Sequence, residues 1–328
     1  MAGLDVVLAS GSEHLRESFL RHGCDVHCCN VNYDGKRIFP NADIYARLPD
    51  IADLSNKRVI VVQSCTGAGP AEIEPYTTSD RVVELLLILD ILKNPYEVEE
   101  TGHKMYRATQ LDPPERVEVV LTFQPFALQD KAFKTGEAIS ARWATRAILE
   151  AADKMYVINP HAPESLDWVR ELVERGVYEK IDLTHDLLEF ASRRFGFSEY
   201  IAVSPDEGGQ ERFSMSGYGK SRHDSFTVEL HGELDVKGRR VIVLDDLTKS
   251  GSTLLKAAER LRSQGAVDVG LAVAHVLPLV DKGEELLEDL YRKSEGKIVT
   301  SNSIRTRLFC DKHPENTYDV VDTIVRYL

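Results

Sequence analysis

Short runs of branched apolar residues alternate along the chain with longer stretches whose apolar residues recur every three or four positions. The first pattern predicts buried parallel strands, the second amphipathic helices. Strands are predicted over 6–9, 59–63, 117–122, 155–159, 200–203, 241–244, 269–276 and 297–300. Helices are predicted over 10–22, 80–93, 137–151, 163–175, 183–195, 254–264, 283–293 and 318–328. Ser10 or Ser12 is the expected cap of the first helix, and Thr78 or Ser79 of the second. In the last helix Val320, Val321, Ile324 and Val325 share one face. Residues 39–48 alternate and read as extended, 66–70 as a Gly-rich turn, and 94–114 as an irregular polar loop or an insertion. Regular alternation of strand and helix implies an α/β fold with mostly parallel sheets. The pattern restarts after residue 153, so two similar halves are expected, 1–153 and 154–309, with 310–328 packing back on the first half.

A length of 328 residues accommodates two such domains. The net charge of −13 argues against a nucleic-acid binder, which would present a basic surface. The N-terminal stretch has no basic segment followed by an apolar one, so no signal peptide is read. No apolar run reaches membrane-spanning length; the longest, 82–92, is broken by Glu84 and Asp90. The five cysteines are odd in number and lack metal-type spacing, which implies reduced thiols and a cytoplasmic setting.

Candidate chemistry concentrates at 241–253. Four branched apolar residues, Val241 to Leu244, are followed by two carboxylates, Asp245 and Asp246. A loop of small residues then opens a helix: Thr248, Lys249, Ser250, Gly251, Ser252 and Thr253. Unpaired N–H groups and the positive dipole end of a helix attract phosphate. Gly251 permits close backbone approach, and the hydroxyls add donors. The carboxylates suit the vicinal hydroxyls of a ribose or a nearby Mg²⁺. The Gly-x4-Gly-Lys spacing of a nucleotide P-loop is absent.

This stretch resembles the binding motif for phosphoribosyl diphosphate (PRPP) of the phosphoribosyltransferase fold. Four further stretches, in order along the chain, resemble the ribose-phosphate pyrophosphokinases, or PRPP synthetases. They are PFALQDKAFKTGEAISA at 125–141, the strand end 158–161, VSPDEGGQER at 203–212 and YGKSRHDSFTVEL at 218–230. The resemblance covers nearly the whole chain and is nearest to a branch whose loop reads Asp-Asp-Leu-x-x-Ser-Gly. It implies two tandem phosphoribosyltransferase-like domains, the second carrying the PRPP loop. It implies transfer of the diphosphoryl group of ATP to the 1-hydroxyl of ribose 5-phosphate, giving PRPP and AMP.

Residue by residue, the resemblance assigns catalysis to Lys220 and Arg222, and ribose 5-phosphate to Asp245, Asp246 and 248–253. Phe39, Asn41, Asp43, Gln129 and Asp130 fall at ATP-binding positions and His161 at a Mg²⁺ position; Asp206, in a stretch that resembles the lining of the ribose-phosphate site, has a carboxylate suited to share that ion. It also implies a homo-oligomer. Ser303, in TSNSIR at 300–305, falls where a regulatory phosphate binds. Three positions depart from the family pattern. Leu128 replaces an ATP-contacting Arg, Asn41 stands where Asp is usual, and Ala42 replaces a Gly. An aliphatic side chain cannot stand in for a bidentate cation. Two competing expectations are therefore a non-catalytic, PRPP-synthetase-like regulatory subunit and a transferase that consumes PRPP. His275, Trp143 and Trp168 are expected to be packing residues.

Overall fold

A computed structural model describes residues 3–32, 35–66, 76–205, 236–279 and 282–328. The described residues divide into two compact units. The first holds 3–66, 76–158 and 165–180, the second 159–164 and 181–328.

The first unit contains β1 (Asp5–Leu8), α1 (Arg16–Arg21), β2 (Asp25–Cys28), β3 (Arg58–Ser64) and α2 (Thr78–Lys93). It continues with β4 (Tyr96–Gly102), β5 (Met105–Gln110), β6 (Arg116–Phe123) and α3 (Ser140–Leu149). Then follow β7 (Lys154–Ile158), α4 (Asp167–Glu174) and β8 (Tyr178–Ile181). Six strands form one sheet in the order β2-β1-β3-β6-β7-β8, with β1, β2, β3, β6 and β7 pairing in parallel. The boundary expected at 153 is therefore too early. Residues 154–157 pair in register with 118–121, so β7 completes the first sheet. Its apolar run Met155–Ile158 is buried throughout, as an inner strand of a parallel sheet with both faces covered requires.

Several local expectations shift. The first helix does not begin at a serine cap. Ser12 Oγ instead donates to the main-chain oxygens of Val62 and Ala9, and a 3-10 turn precedes α1. Thr77, not Thr78 or Ser79, caps α2 in a reciprocal box with Asp80. The 39–48 stretch is not extended throughout: 39–43 form a tight turn flanked by an Ile38–Ile44 bridge, and Ala42 at φ +70° reverses the chain. Residues 96–110, within the stretch expected to be an irregular loop or an insertion, form an exposed antiparallel hairpin.

The second unit contains α5 (Thr184–Phe195), β9 (Ile201–Val203), β10 (Arg240–Thr248) and α6 (Ser252–Ser263). β11 (Asp268–Val276), α7 (Gly283–Lys293), β12 (Ile298–Ser301), β13 (Thr317–Tyr318) and α8 (Val321–Tyr327) complete it. Its parallel sheet runs β13-β12-β11-β10-β9. Val241, Val243, Leu254, Leu271, Val273 and Leu290 are core members, fully buried or within 1% of it. The C-terminal helix belongs here, not with the first half. Thr323 Oγ1 donates to Asp186 Oδ2 at 2.6 Å, Arg326 pairs with the same carboxylate, and Asp182 N donates to Tyr327 Oη at 3.3 Å. The apolar stripe of 318–328 thus serves the sheet to which β13 is joined.

Candidate ribose-phosphate site

β10 is the central support of the site. Its apolar face is expected, but the strand runs on through the acid pair to Thr248, so Asp245 and Asp246 lie within the strand rather than after it. Both are buried, at 6% and 3% exposure. Burial of paired carboxylates requires partners. Asp245 Oδ1 accepts from the Asp246 N–H at 2.9 Å, and Asp246 Oδ2 lies 2.8 Å from His161 Nδ1. A carboxylate only accepts, so Nδ1 carries the proton and Nε2 is the basic nitrogen.

The turn after β10 is short. Thr248 Oγ1 accepts from the Gly251 N–H at 3.0 Å and folds Lys249 and Ser250 outward. Gly251 sits at φ +72° as the N-cap of α6 and makes no side-chain cap bond. A Cβ there would come within 2.3 Å of Leu290 Cδ1, so both dihedral and packing demand glycine. Ser252 and Thr253 form the exposed first turn of α6, and Ser250 Oγ lies 3.3 Å from Ser252 Oγ. The result is a helix N-terminus beside a buried acid pair, at the carboxyl end of a parallel strand, where α/β sheets place ligands.

The short segment after β7 that carries His161 is held by residues the sequence did not single out for the site. Asn159 is 4% exposed with φ +35°; its Oδ1 accepts from the Leu183 N–H at 2.7 Å. His275 Nε2 donates to the Asn159 main-chain oxygen at 3.2 Å, and His275 Nδ1 lies 2.8 Å from Ser303 Oγ. His275 is buried as expected, but as a hydrogen-bonded bracket rather than as apolar filling. Ser303 is fully buried in that bracket. A polar residue ending an otherwise apolar strand is the signal that could have flagged His275.

The residues expected to meet ATP lie in the first unit, on two separate segments. Phe39, Asn41 and Asp43 share one turn: Phe39 N donates to Asp43 O at 2.8 Å, Asn41 Nδ2 to Asp43 Oδ2 at 2.5 Å, and Phe39 packs edge-on against Tyr45. Gln129 Oε1 accepts from Ser140 Oγ at 2.6 Å, and the main-chain oxygen of Asp130 accepts from Trp168 Nε1 at 2.9 Å. Leu128 between them and Ala127 is 40% exposed. Trp168 is packed as expected; Trp143 is not, with 59% of its surface exposed. A cleft of about 350 Å³ beside Asp130 is lined by Lys131, Arg142, Arg146 and Trp168. Asp206, Lys220 and Arg222 lie outside the described residues.

The donor set suits a hard divalent cation in part. Two buried carboxylates offer oxygen, and His161, oriented through Nδ1 by Asp246, offers its other imidazole nitrogen. Among the described residues no cluster of three or more His, Cys, Asp or Glu side chains could hold a metal alone. Such a shell would be completed by water and substrate oxygens, as Mg²⁺ prefers. All five cysteines are free, and no helix among the described residues is long and apolar enough to cross a membrane.

Comparison with known proteins bears on this geometry. A family model described as "Phosphoribosyl transferase domain" matches residues 201–310, which include β10 and the turn after it. The ribose-phosphate pyrophosphokinase of Methanosarcina mazei is 30% identical over 253 residues, 72% of this chain and 70% of the relative. The enzyme of the same name from Pyrococcus abyssi is 26% identical over 330 aligned positions, 98% and 96% of the two chains. The crystal structure of phosphoribosylpyrophosphate synthetase from Mycobacterium smegmatis superposes with a TM-score of 0.65 at 21% identity, covering 99% of this chain and 97% of that one. The chain belongs to the ribose-phosphate pyrophosphokinase family.

Proposed function

We propose that the chain is a ribose-phosphate diphosphokinase: it transfers the diphosphoryl group of ATP to the 1-hydroxyl of ribose 5-phosphate, yielding PRPP and AMP. The observation that carries this reading is the β10–α6 turn, where Gly251 brings a helix N-terminus beside the buried Asp245–Asp246 pair. The 5-phosphate is taken by the N–H groups of Ser252 and Thr253 and the hydroxyls of Ser250, Ser252 and Thr253, with Lys249 as a nearby cation and the Gly251 N–H holding the turn through Thr248 Oγ1. Asp245 and Asp246 accept from the ribose hydroxyls and fix the sugar ring. The 1-oxygen then attacks the β-phosphorus of ATP; the bond from that phosphorus to the bridging α–β oxygen breaks, AMP leaves, and the 1-hydroxyl proton is released.

Such a transfer is accelerated by positioning and by cations against the equatorial oxygens. Lys220 and Arg222 are assigned that role from sequence. His161, Asp206 and substrate oxygens would hold Mg²⁺, which would supply positive charge against the phosphates. Phe39, Asn41, Asp43, Gln129 and Asp130 are assigned to the nucleotide. The free cysteines support a reducing, cytoplasmic setting, and family membership supports a homo-oligomer.

One observation favours a second reading, a non-catalytic subunit: Leu128 is an exposed aliphatic residue beside Gln129 and Asp130. One assay separates the two. Purified full-length protein with ribose 5-phosphate, ATP and Mg²⁺ should release AMP and PRPP in equal amounts, and Lys220→Ala should lower kcat by orders of magnitude with little change in ribose 5-phosphate affinity. No turnover, with binding to an active homologue, would establish the regulatory subunit instead.

A further inference from the structure

Asn159 adopts φ +35° although it is not a glycine, and it is buried. Such backbone persists only where its surroundings hold it. Three hydrogen bonds do so: Asn159 N donates to Ile181 O at 3.0 Å, its Oδ1 accepts from Leu183 N, and its main-chain oxygen accepts from His275 Nε2. Only Pro160 separates Asn159 from His161, and the proline ring fixes φ at that link. The orientation of Asn159 therefore passes to His161 with little torsional freedom between them.

Two arms lead from Asn159 to the C-terminal segment. The first passes through Leu183, just before α5. Next to it Asp182 N donates to Tyr327 Oη at 3.3 Å, and one turn further on Asp186 accepts from Thr323 Oγ1 at 2.6 Å. The second passes through His275 on β11 to Ser303, whose Oγ lies 2.8 Å from Nδ1. Beside Ser303, Asn302 N donates to Tyr318 O at 3.0 Å, and Asn302 Oδ1 accepts from Val320 N at 2.8 Å. Residues 318–327 thus grip both arms, and both arms end on the residue that directs the His161 segment.

We propose that Asn159 and His275 are positioning residues which, anchored by the C-terminal segment, set the pose in which His161 meets Asp246. Released from its bracket, Asn159 relaxes out of its left-handed conformation and swings the His161 ring away from the 2.8 Å bond to Asp246. Two substitutions at 275 separate this role from packing. The amide nitrogen of glutamine reaches the place of Nε2, that of asparagine only the place of Nδ1. His275→Gln therefore keeps the donor to Asn159 O, and His275→Asn loses it. If His275 served packing alone, both amides would disturb the site alike.

The test uses the full chain and two readouts. Nitrogen-15 signals of the His161 ring in the metal-free protein show which ring nitrogen carries the proton, independently of turnover. The magnesium concentration at half-maximal rate reads the same pose in the working enzyme, and this second readout alone rests on the diphosphokinase reading. Wild type and His275→Gln should show one tautomer, protonated at Nδ1. His275→Asn should show both tautomers, with the magnesium midpoint raised about tenfold and the KM for ribose 5-phosphate nearly unchanged. Tyr327→Phe removes one hydroxyl on a half-buried ring and keeps the fold, so it carries the test even if His275→Asn does not fold. It should show a minor second tautomer and a midpoint raised about twofold. A wild-type tautomer in His275→Asn, equal shifts in the two His275 variants, or a Tyr327→Phe protein identical to wild type would each overturn the proposal. The expected tautomer pattern in a protein without turnover would uphold the positioning role and count against the diphosphokinase reading instead.

Discussion

His161 Nδ1 lies 2.8 Å from Asp246 Oδ2 across 85 residues of sequence. The bond fixes the imidazole so that Nε2 is its basic nitrogen, and it places a nitrogen donor beside the carboxylate pair of β10. Asp246→Asn keeps the shape but loses the charge that holds the ring. The Mg²⁺ concentration giving half-maximal rate should rise by about 10- to 100-fold. A magnesium titration of the initial rate checks this, and an unchanged midpoint would remove the pair from the cation's surroundings.

Gly251→Ala meets two penalties: a left-handed φ of +72° and a Cβ within 2.3 Å of Leu290 Cδ1. Together they should cost about 2–4 kcal/mol of unfolding free energy, read by denaturant melts. The double variant with Leu290→Ala should show non-additive losses, because relief of the clash offsets part of the glycine penalty but leaves the dihedral strain.

Ala42→Gly acts in the opposite direction. Ala42 occupies φ +70° where the family pattern has glycine. Relief of left-handed strain, less the entropy glycine loses on folding, should stabilise the protein by about 0.5–1 kcal/mol. A rise in Tm, with ribose 5-phosphate binding unchanged, is the expected result.

Burial pushes the Cys29 and Cys65 thiols up from their ordinary range. A raised thiol pKa means that the reactive thiolate is scarcer in the folded state than in the unfolded one. At pH 8 the native protein should therefore resist alkylation at both positions, and denaturant should release them. Peptide mass spectrometry after iodoacetamide reads this directly; labelling of Cys65 in the native protein would contradict the packing around β3.

The helices and apolar strands were legible because their periodicity is strong: α2, α5, α7 and β11 fall within a few residues of expectation. β2, β8 and β13 were missed because strands of two to four residues, such as YEKI at β8, carry too little alternation to be distinguished from loop. The hairpin was missed because it buries neither face, so no apolar alternation marks it. Within the site, the acid pair and the glycine turn were readable as a motif. Asn159 and the His275–Ser303 bracket were not, since they act through a main-chain oxygen that only the folded chain brings within reach.

The most direct measurement is a crystal of the protein soaked with ribose 5-phosphate. The phosphate should lie on the first turn of α6, within hydrogen-bond reach of 250–253, with ring hydroxyls at Asp245 and Asp246. Sugar bound elsewhere, with that turn empty and accessible, would contradict the assignment.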